Sequence, residues 1–171
     1  MIYEAREDSF LLKKYVNKYA KNKVLDVGCG SGILSLEALK KSNNVIAVDI
    51  NKKAVEYCKK LKINAKYSNL FSNVKGKFDL IIFNPPYLPY DKNEDKDTKI
   101  MVCGGKKGYE VIERFLKQAK KYLNKNGKML LLFSSLTGNV DKILKRYGYK
   151  FKLLEEKKLF FEKLYVYLIE I

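Results

Sequence analysis

Short β-branched runs alternate with amphipathic helical stretches along nearly the whole chain, and this alternation restricts the fold more than any other feature. Lys23 to Val27 reads as a first strand, followed by a glycine-rich turn and a helix from about Ile33 to Lys41. Val45 to Val48 is a second strand, after which Asn51 caps a helix carrying Ala54, Val55, Cys58 and Leu61. Ala65 to Tyr67 and Phe78 to Phe83 are the third and fourth strands. Val111, Ile112, Phe115, Leu116, Ala119 and Leu123 recur at helical spacing, with a stop near Asn126-Gly127. Met129 to Phe133 is a fifth strand, and Val140 to Tyr147 a last helix ended by Gly148. Tyr149 to Leu154 and Leu164 to Ile169 read as two more strands, joined by Glu155 to Glu162. Ahead of them all, Phe10, Leu11, Leu12, Tyr15, Val16 and Tyr19 mark a helix that Asp8 or Ser9 can cap. Asp91 to Lys99 is polar and charged, and reads as a loop. Repeated βα units followed by a hairpin predict an α/β fold. The expected sheet is doubly wound, mostly parallel and seven-stranded, with one antiparallel strand. No repeat or linker divides the chain, so residues 1–171 read as a single domain.

Composition narrows the class. The hydrophobic fraction of 47% is enough for a core, and no apolar stretch approaches a membrane span. The first residues, Met1-Ile2-Tyr3-Glu4-Ala5-Arg6-Glu7-Asp8, are charged and do not form a secretory signal, which leaves the cytoplasm as the expected location. Cys29, Cys58 and Cys103 are scattered and there is no histidine, so neither a disulfide framework nor a metal site is expected. The net charge of +16 reads two ways. It can mark a surface for nucleic acid or a ribosomal partner. It can equally be solvated lysine on helix faces such as Lys13-Lys14, Lys59-Lys60 and Lys120-Lys121.

Two motifs carry chemistry. Asn84-Pro85-Pro86-Tyr87 follows directly on the fourth strand. Its prolines donate no ladder hydrogen bond and each fixes its φ, so the sheet ends there and a polar amide and a ring sit on a stiff loop. Strand carboxyl ends are where ligands bind in open α/β sheets. A planar NH2 group could stack on Tyr87 while Asn84 and the Pro85 carbonyl accept its two protons. Upstream, Val24-Leu25-Asp26-Val27-Gly28-Cys29-Gly30-Ser31-Gly32 is a strand running into a tight turn. A dinucleotide fingerprint wants Gly-x-Gly-x-x-Gly, and here Ile33 stands at the third glycine. Asp26 beside the turn is an awkward neighbour for phosphate and a good one for a cation. S-adenosylmethionine (AdoMet), with an ammonium, a sulfonium and no phosphate, suits this turn better than NAD. Asp49 closes the second strand, where a carboxylate accepts from ribose hydroxyls, and Ile50 would press on the adenine face.

With those pieces the chain resembles class I AdoMet-dependent methyltransferases, which have a Rossmann-like fold. Within them it is similar to the HemK-related enzymes that methylate the glutamine of the Gly-Gly-Gln loop of class-1 translation release factors. The resemblance runs through Glu7-Asp8-Ser9-Phe10-Leu11-Leu12, the glycine turn, Val48-Asp49-Ile50-Asn51, Phe83-Asn84-Pro85-Pro86-Tyr87 and Gly104-Gly105-Lys106-Lys107-Gly108. Lacking the helical domain of the bacterial members, the chain looks like the short archaeal and eukaryotic form. The resemblance implies that Ser9, Asp26, Gly28, Gly30, Asp49, Ile50, Asn69, Leu70 and Asn84 bind the cofactor, with Asn84, Pro85 and Tyr87 at the acceptor. Asn69 stands where the family usually has an aspartate accepting the adenine amino group, so weaker cofactor binding is expected. The resemblance also implies a small zinc-binding activator subunit, which could pair with the sheet edge near Ala65–Tyr67. Two other readings stay open: a DNA or RNA methyltransferase acting on adenine N6 or guanine N2, and a non-catalytic AdoMet-binding protein.

Overall fold

Phe78–Phe83 (β4) is apolar on both faces because both faces are covered, and Phe78, Leu80, Ile81, Ile82 and Phe83 are all buried. In the computed structural model, which describes Ile2 and residues 4–90 and 102–171, the rest of the sheet is laid on either side of this strand. The loop expected at Asp91–Lys99 lies outside the described residues. Before β4 come Lys23–Val27 (β1), Asn44–Asp49 (β2) and Asn64–Tyr67 (β3). After it come the short Leu88–Pro89 (β5) and Cys103–Gly105 (β6), then Leu123–Ser134 (β7), Lys150–Lys158 (β8) and Lys163–Glu170 (β9). The main sheet has seven strands in the order β3-β2-β1-β4-β7-β9-β8, and β5 pairs with β6 apart from it. Strand β9 runs antiparallel to both of its neighbours, while β1 to β4 and β7 are parallel. The expected α/β class, strand number and single antiparallel strand are all found.

Alternation along the strands sorts side chains between two layers of helices. Leu25, Val27, Ile81, Phe83, Met129 and Leu131 pack with Ile112, Phe115 and Leu116 of the helix Glu110–Ala119 (α4) and with Ile143 and Leu144 of Val140–Arg146 (α5). On the other face, Val24, Leu80, Ile82 and Leu130 meet Leu11, Leu12 and Val16 of Glu7–Tyr19 (α1) and Leu34 and Ala38 of Ile33–Leu39 (α2). A smaller cluster of Ala47, Val55, Cys58, Ile63 and Ala65 seats Lys52–Lys60 (α3), which Asn51 caps by accepting from Lys53 N at 3.0 Å.

Several boundaries differ from the sequence reading: β8 runs on to Lys158, so the expected connection over Glu155 to Glu162 shrinks to a turn at Leu159–Glu162. Asp8 and Ser9 do not cap α1; both lie inside its first turn and are buried, and the helix begins after Arg6 with no side-chain cap. The α4 helix ends at Ala119, and a 3₁₀ turn over Lys120–Tyr122 leads into β7 at Leu123. Asn126-Gly127 therefore sits within a strand. Opposite Phe78–Leu80 the partner register jumps from Leu123 to Lys128, and Asn124 Nδ2 donates to Asp79 Oδ1 at 2.8 Å across the gap. That irregularity breaks the apolar alternation that would have announced the strand.

The chain proceeds from β1 outward to β2 and β3, then returns to place β4 on the opposite side of β1. The strand order therefore reverses between β1 and β4, with Val27 and Phe83 in register at their carboxyl ends. The glycine turn and the Asn84–Tyr87 loop leave from this crevice, where doubly wound sheets bind ligands.

Candidate active site

The glycine turn is held from below by β2. Gly28 N and Cys29 N both donate to the Val48 carbonyl, at 2.7 and 3.1 Å. Gly28, Gly30 and Gly32 all have positive φ, and at Gly32 a Cβ would lie 2.7 Å from Ile63 Cδ1, so close packing as well as the backbone demands glycine there. Asp49 clamps the turn: its Oδ2 accepts from Gly30 N at 2.9 Å and its Oδ1 from Asn51 N at 2.8 Å. Burial pushes the Asp49 carboxyl up, against the pull of the backbone N–H groups of Asn51, Gly30 and Ile50. Beside it, Cys29 and Cys58 place their sulfurs 3.5 Å apart, and the neighbouring thiol together with burial pushes Cys29 up.

Leu70 takes a left-handed backbone conformation, which a leucine adopts only when its surroundings impose it. Ser68 does so here, because its Oγ donates to the Leu70 carbonyl at 2.8 Å and accepts from Asn73 N at 3.0 Å. Asn69 Oδ1 already accepts from Arg114 Nη2 at 3.0 Å. One lone pair of the carbonyl expected to receive an adenine amino group is therefore engaged.

On the acceptor side, Asn84 Nδ2 donates to Asp8 Oδ2 at 3.1 Å, and the Tyr87 hydroxyl approaches the same oxygen at 3.5 Å. Asp8 Oδ1 is taken up by Ser9, whose backbone N–H donates to it at 2.6 Å. The buried Asp8 carboxylate thus ties α1 to the Asn84–Tyr87 loop. Asn84 Oδ1 is buried and has no hydrogen-bond partner. From the outside the loop is braced by the Gly104–Gly108 turn. A Cβ at Gly104 would stand 2.0 Å from the Gly108 carbonyl oxygen and 2.7 Å from that of Pro86, and one at Gly108 would stand 2.7 Å from that of Tyr87.

Both halves open into one cavity of about 460 Å³, within the range of roughly 300–1,000 Å³ usual for small-molecule sites. Ser9, Gly28, Gly30, Asp49, Ile50, Asn69, Leu70, Asn84, Pro85 and Tyr87 all line it. Asp26 is the exception among the sequence candidates, because it stands behind the turn and not on the wall. It is fully buried, its Oδ2 accepts from Ser35 Oγ at 2.6 Å, and its Oδ1 has no partner. Burial pushes its carboxyl up to about 6, with the Asp49 charge adding to the rise and the Ser35 bond opposing it.

Sequence reasoning missed Asp8 as a site residue, and it missed Arg114, Leu159 and Glu162, which also line the wall. The signal for Asp8 was an acid in a first helical turn, which ordinarily reads as a cap or as a complement to the helix dipole. The lining also inverts the charge of the molecule. Among the described residues it carries Glu7, Asp8, Asp49 and Glu162 against Arg6 and Arg114, and no lysine. An acidic wall and a free buried oxygen on Asn84 fit a cationic, phosphate-free ligand such as AdoMet. Among the described residues no cluster of three or more His, Cys, Asp or Glu could hold a metal, and no helix is long and apolar enough to cross a membrane.

Comparison with known proteins agrees with this geometry. A protein of Methanocaldococcus jannaschii, provisionally assigned as a protein N5-glutamine methyltransferase, is 40% identical over 96% of this chain and 89% of its own length. The ribosomal RNA small subunit methyltransferase C of Buchnera aphidicola is 34% identical over 86% of this chain but only 42% of its own length. Among solved structures, the Mtq2–Trm112 complex of E. cuniculi, responsible for methylating the eRF1 termination factor, superposes with a TM-score of 0.80 at 26% identity. That match covers 99% of this chain and 98% of the other. The methyltransferase small domain model matches residues 7–161. On the strength of that match and of the archaeal relative, the chain belongs to the methyltransferase small domain family.

Proposed function

We propose that the chain transfers a methyl group from AdoMet to the side-chain amide nitrogen of a glutamine, in the Gly-Gly-Gln loop of a class-1 translation release factor. Residues 1–171 act as one catalytic domain, working in the cytoplasm beside the translation machinery. The observation that carries the reading is Asn84, whose NH2 is committed to Asp8 while its carbonyl oxygen is buried at the cavity with no donor. A site so oriented asks for a ligand that brings an N–H.

When bound, AdoMet would supply an electrophilic methyl: as its carbon–sulfur bond breaks, S-adenosylhomocysteine would leave as a neutral thioether that needs no acid, and the methylated nitrogen would release one proton to water. The obstacle is the acceptor, because an amide nitrogen delocalises its lone pair. Asn84 Oδ1 and the Pro85 carbonyl each hold one N–H, so the nitrogen pyramidalises toward the methyl group. Positive charge growing on the nitrogen strengthens both hydrogen bonds, which therefore stabilise the transition state more than the ground state. Tyr87 stacks on the amide plane and fixes its approach, and positioning of this kind is a large share of such a rate. On the cofactor side, Asp49 would accept from the ribose hydroxyls, Ile50 would cover the adenine, and Asp26 would lend negative potential behind the turn. Asn69 would meet the adenine edge, with one carbonyl lone pair already spent on Arg114.

The E. cuniculi enzyme was solved with a partner named in its complex, and among the described residues β3 is an edge strand on which such a partner can add a strand. An activator subunit, zinc-binding by the family resemblance, would pair there beside the exposed Lys66 and Tyr67.

A second reading keeps a specific observation in its favour. The Buchnera relative is an RNA methyltransferase, and a net charge of +16 would attract RNA to the outer surface. Incubation with methyl-labelled AdoMet plus release factor or ribosomal RNA separates the two. Label is expected in the factor's glutamine, and Asn84→Ala should lower kcat by about 10²–10³-fold. Label in RNA alone would sink the glutamine reading.

A further inference from the structure

The β8–β9 hairpin forms part of the cavity wall yet has no part in the chemistry above. Its turn is tight, with Leu159 N donating to the Glu162 carbonyl at 2.8 Å, so Phe160 and Phe161 occupy the turn itself. It is tied down from behind, where Lys163 N donates to Ser135 Oγ at 3.0 Å and Ser135 N to the Lys163 carbonyl at 2.8 Å. Leu159, Glu162 and Leu164 line the same cavity as Asn84 and Tyr87.

The two phenylalanines are 90% and 85% exposed, while Phe10, the next most exposed large apolar residue described, reaches only 53%. Their rings meet edge to face with centroids 4.5 Å apart. Turn positions normally go to Gly, Asn, Asp, Ser or Pro, so local preference does not put two aromatic rings there. An exposed aromatic pair at the mouth of a site is a contact surface waiting for a partner. Glu162 gives it direction. Its Oε2 is buried without a hydrogen-bond partner, and an ionised carboxylate can only accept. The tip therefore offers two rings outward and an acceptor inward, toward the cavity.

We propose that this tip docks the protein substrate. A peptide segment flanking the methylated amide lays an apolar side chain on Phe160 and Phe161 and donates a backbone N–H to Glu162. The inference rests on the glutamine reading above and adds where the polypeptide lies. Exposed rings would also stack a base, but a strand entering past Glu162 brings phosphates against a carboxylate. Two of the nearby lysines that could offset this are already paired, Lys157 with Glu7 and Lys163 with Glu156.

The test is steady-state methylation of release factor by wild type, by F160A/F161A and by E162Q, with calorimetric binding of S-adenosylhomocysteine alongside. The double variant removes only exposed rings, so its circular dichroism should match wild type. Its KM for the factor should rise about 10-fold or more, the usual order for losing aromatic anchors, with kcat and S-adenosylhomocysteine affinity unchanged. E162Q should raise KM for the factor; weaker S-adenosylhomocysteine binding with an unchanged KM would place the carboxylate on the cofactor and overturn its docking role. If wild type methylates the factor and F160A/F161A shows an unchanged KM, the docking inference falls and the glutamine reading stands. That holds also if the double variant merely loses self-association in sedimentation, which would make a second copy the partner. Methylation of ribosomal RNA and not of the factor overturns both.

Discussion

An asparagine amide can sit either way round, and only its partners decide which atom faces a ligand. At Asn84 that decision belongs to Asp8, a pure acceptor that can take only the NH2 end. Asp8 thus sets the orientation of Asn84 and meets the Tyr87 hydroxyl, the place of a positioning residue. Asp8→Asn would offer an NH2 of its own, let Asn84 turn over and consume its free carbonyl. Its kcat should fall by roughly 10–10²-fold, on the scale of misplaced reacting groups. S-adenosylhomocysteine affinity by calorimetry should hold, and Asp8→Glu should restore part of the rate; equal loss in both variants would point to a merely structural role. At this scale the presence of Asn84, Tyr87 and Asp49 at one cavity was legible because each belongs to a local motif at a strand's end. Asp8 was not, since what sets it apart is a contact 76 residues away. The Arg114 partner of Asn69 was hidden for the same reason.

The strands and helices that carry the site were legible because periodicity is local. Phe78–Phe83 was bounded as found, and the glycine turn and the Asn84–Tyr87 loop were correctly set at strand ends. The miss lay between α4 and β7, where Asn124 to Gly127 looks like a helix stop but bridges a slipped register. More telling is the relation between two motifs that seemed separate. Gly104 and Gly108 have no room for side chains because their backbone lies against that of Pro86 and Tyr87. The acceptor loop is therefore stiffened twice, by its prolines from within and by this turn from outside. Gly104→Ala would force a shift at the Pro86 or Gly108 carbonyl. A kcat loss of about 10²-fold is expected, on the scale of a misplacement of about 1 Å. Heat denaturation of the same variant should show a drop of only a few degrees, on the order of 1–2 kcal/mol for a domain of this size.

The whole molecule sets a strongly basic exterior around an acidic cavity, a contrast that residue counts could not reveal. It also buries a carboxylate at a cost that depends on pH. Asp26 is raised from 3.8 to about 6 in the folded state, so between those values the native protein binds more protons than the unfolded chain. Stability therefore declines as pH rises through that window. The penalty is absent below it and complete above it, at about 3 kcal/mol for two pK units. Asp26→Asn keeps an acceptor for Ser35 and removes the charge. In urea titrations at a series of pH values, its advantage over wild type should be near zero at pH 4, grow to pH 6 and then level off. A constant difference across that range would remove Asp26 as its source.

The sulfurs of Cys29 and Cys58, 3.5 Å apart beneath the glycine turn, have a use quite apart from catalysis. Cys58 is fully buried, so an alkylating reagent reaches it only when that part of the molecule opens. The chain thus carries a natural clock beneath its glycine turn. The labelling rate of Cys58 counts openings there, and any molecule that settles on the closed turn slows the count in proportion to its occupancy, whether or not a methyl group is ever passed on.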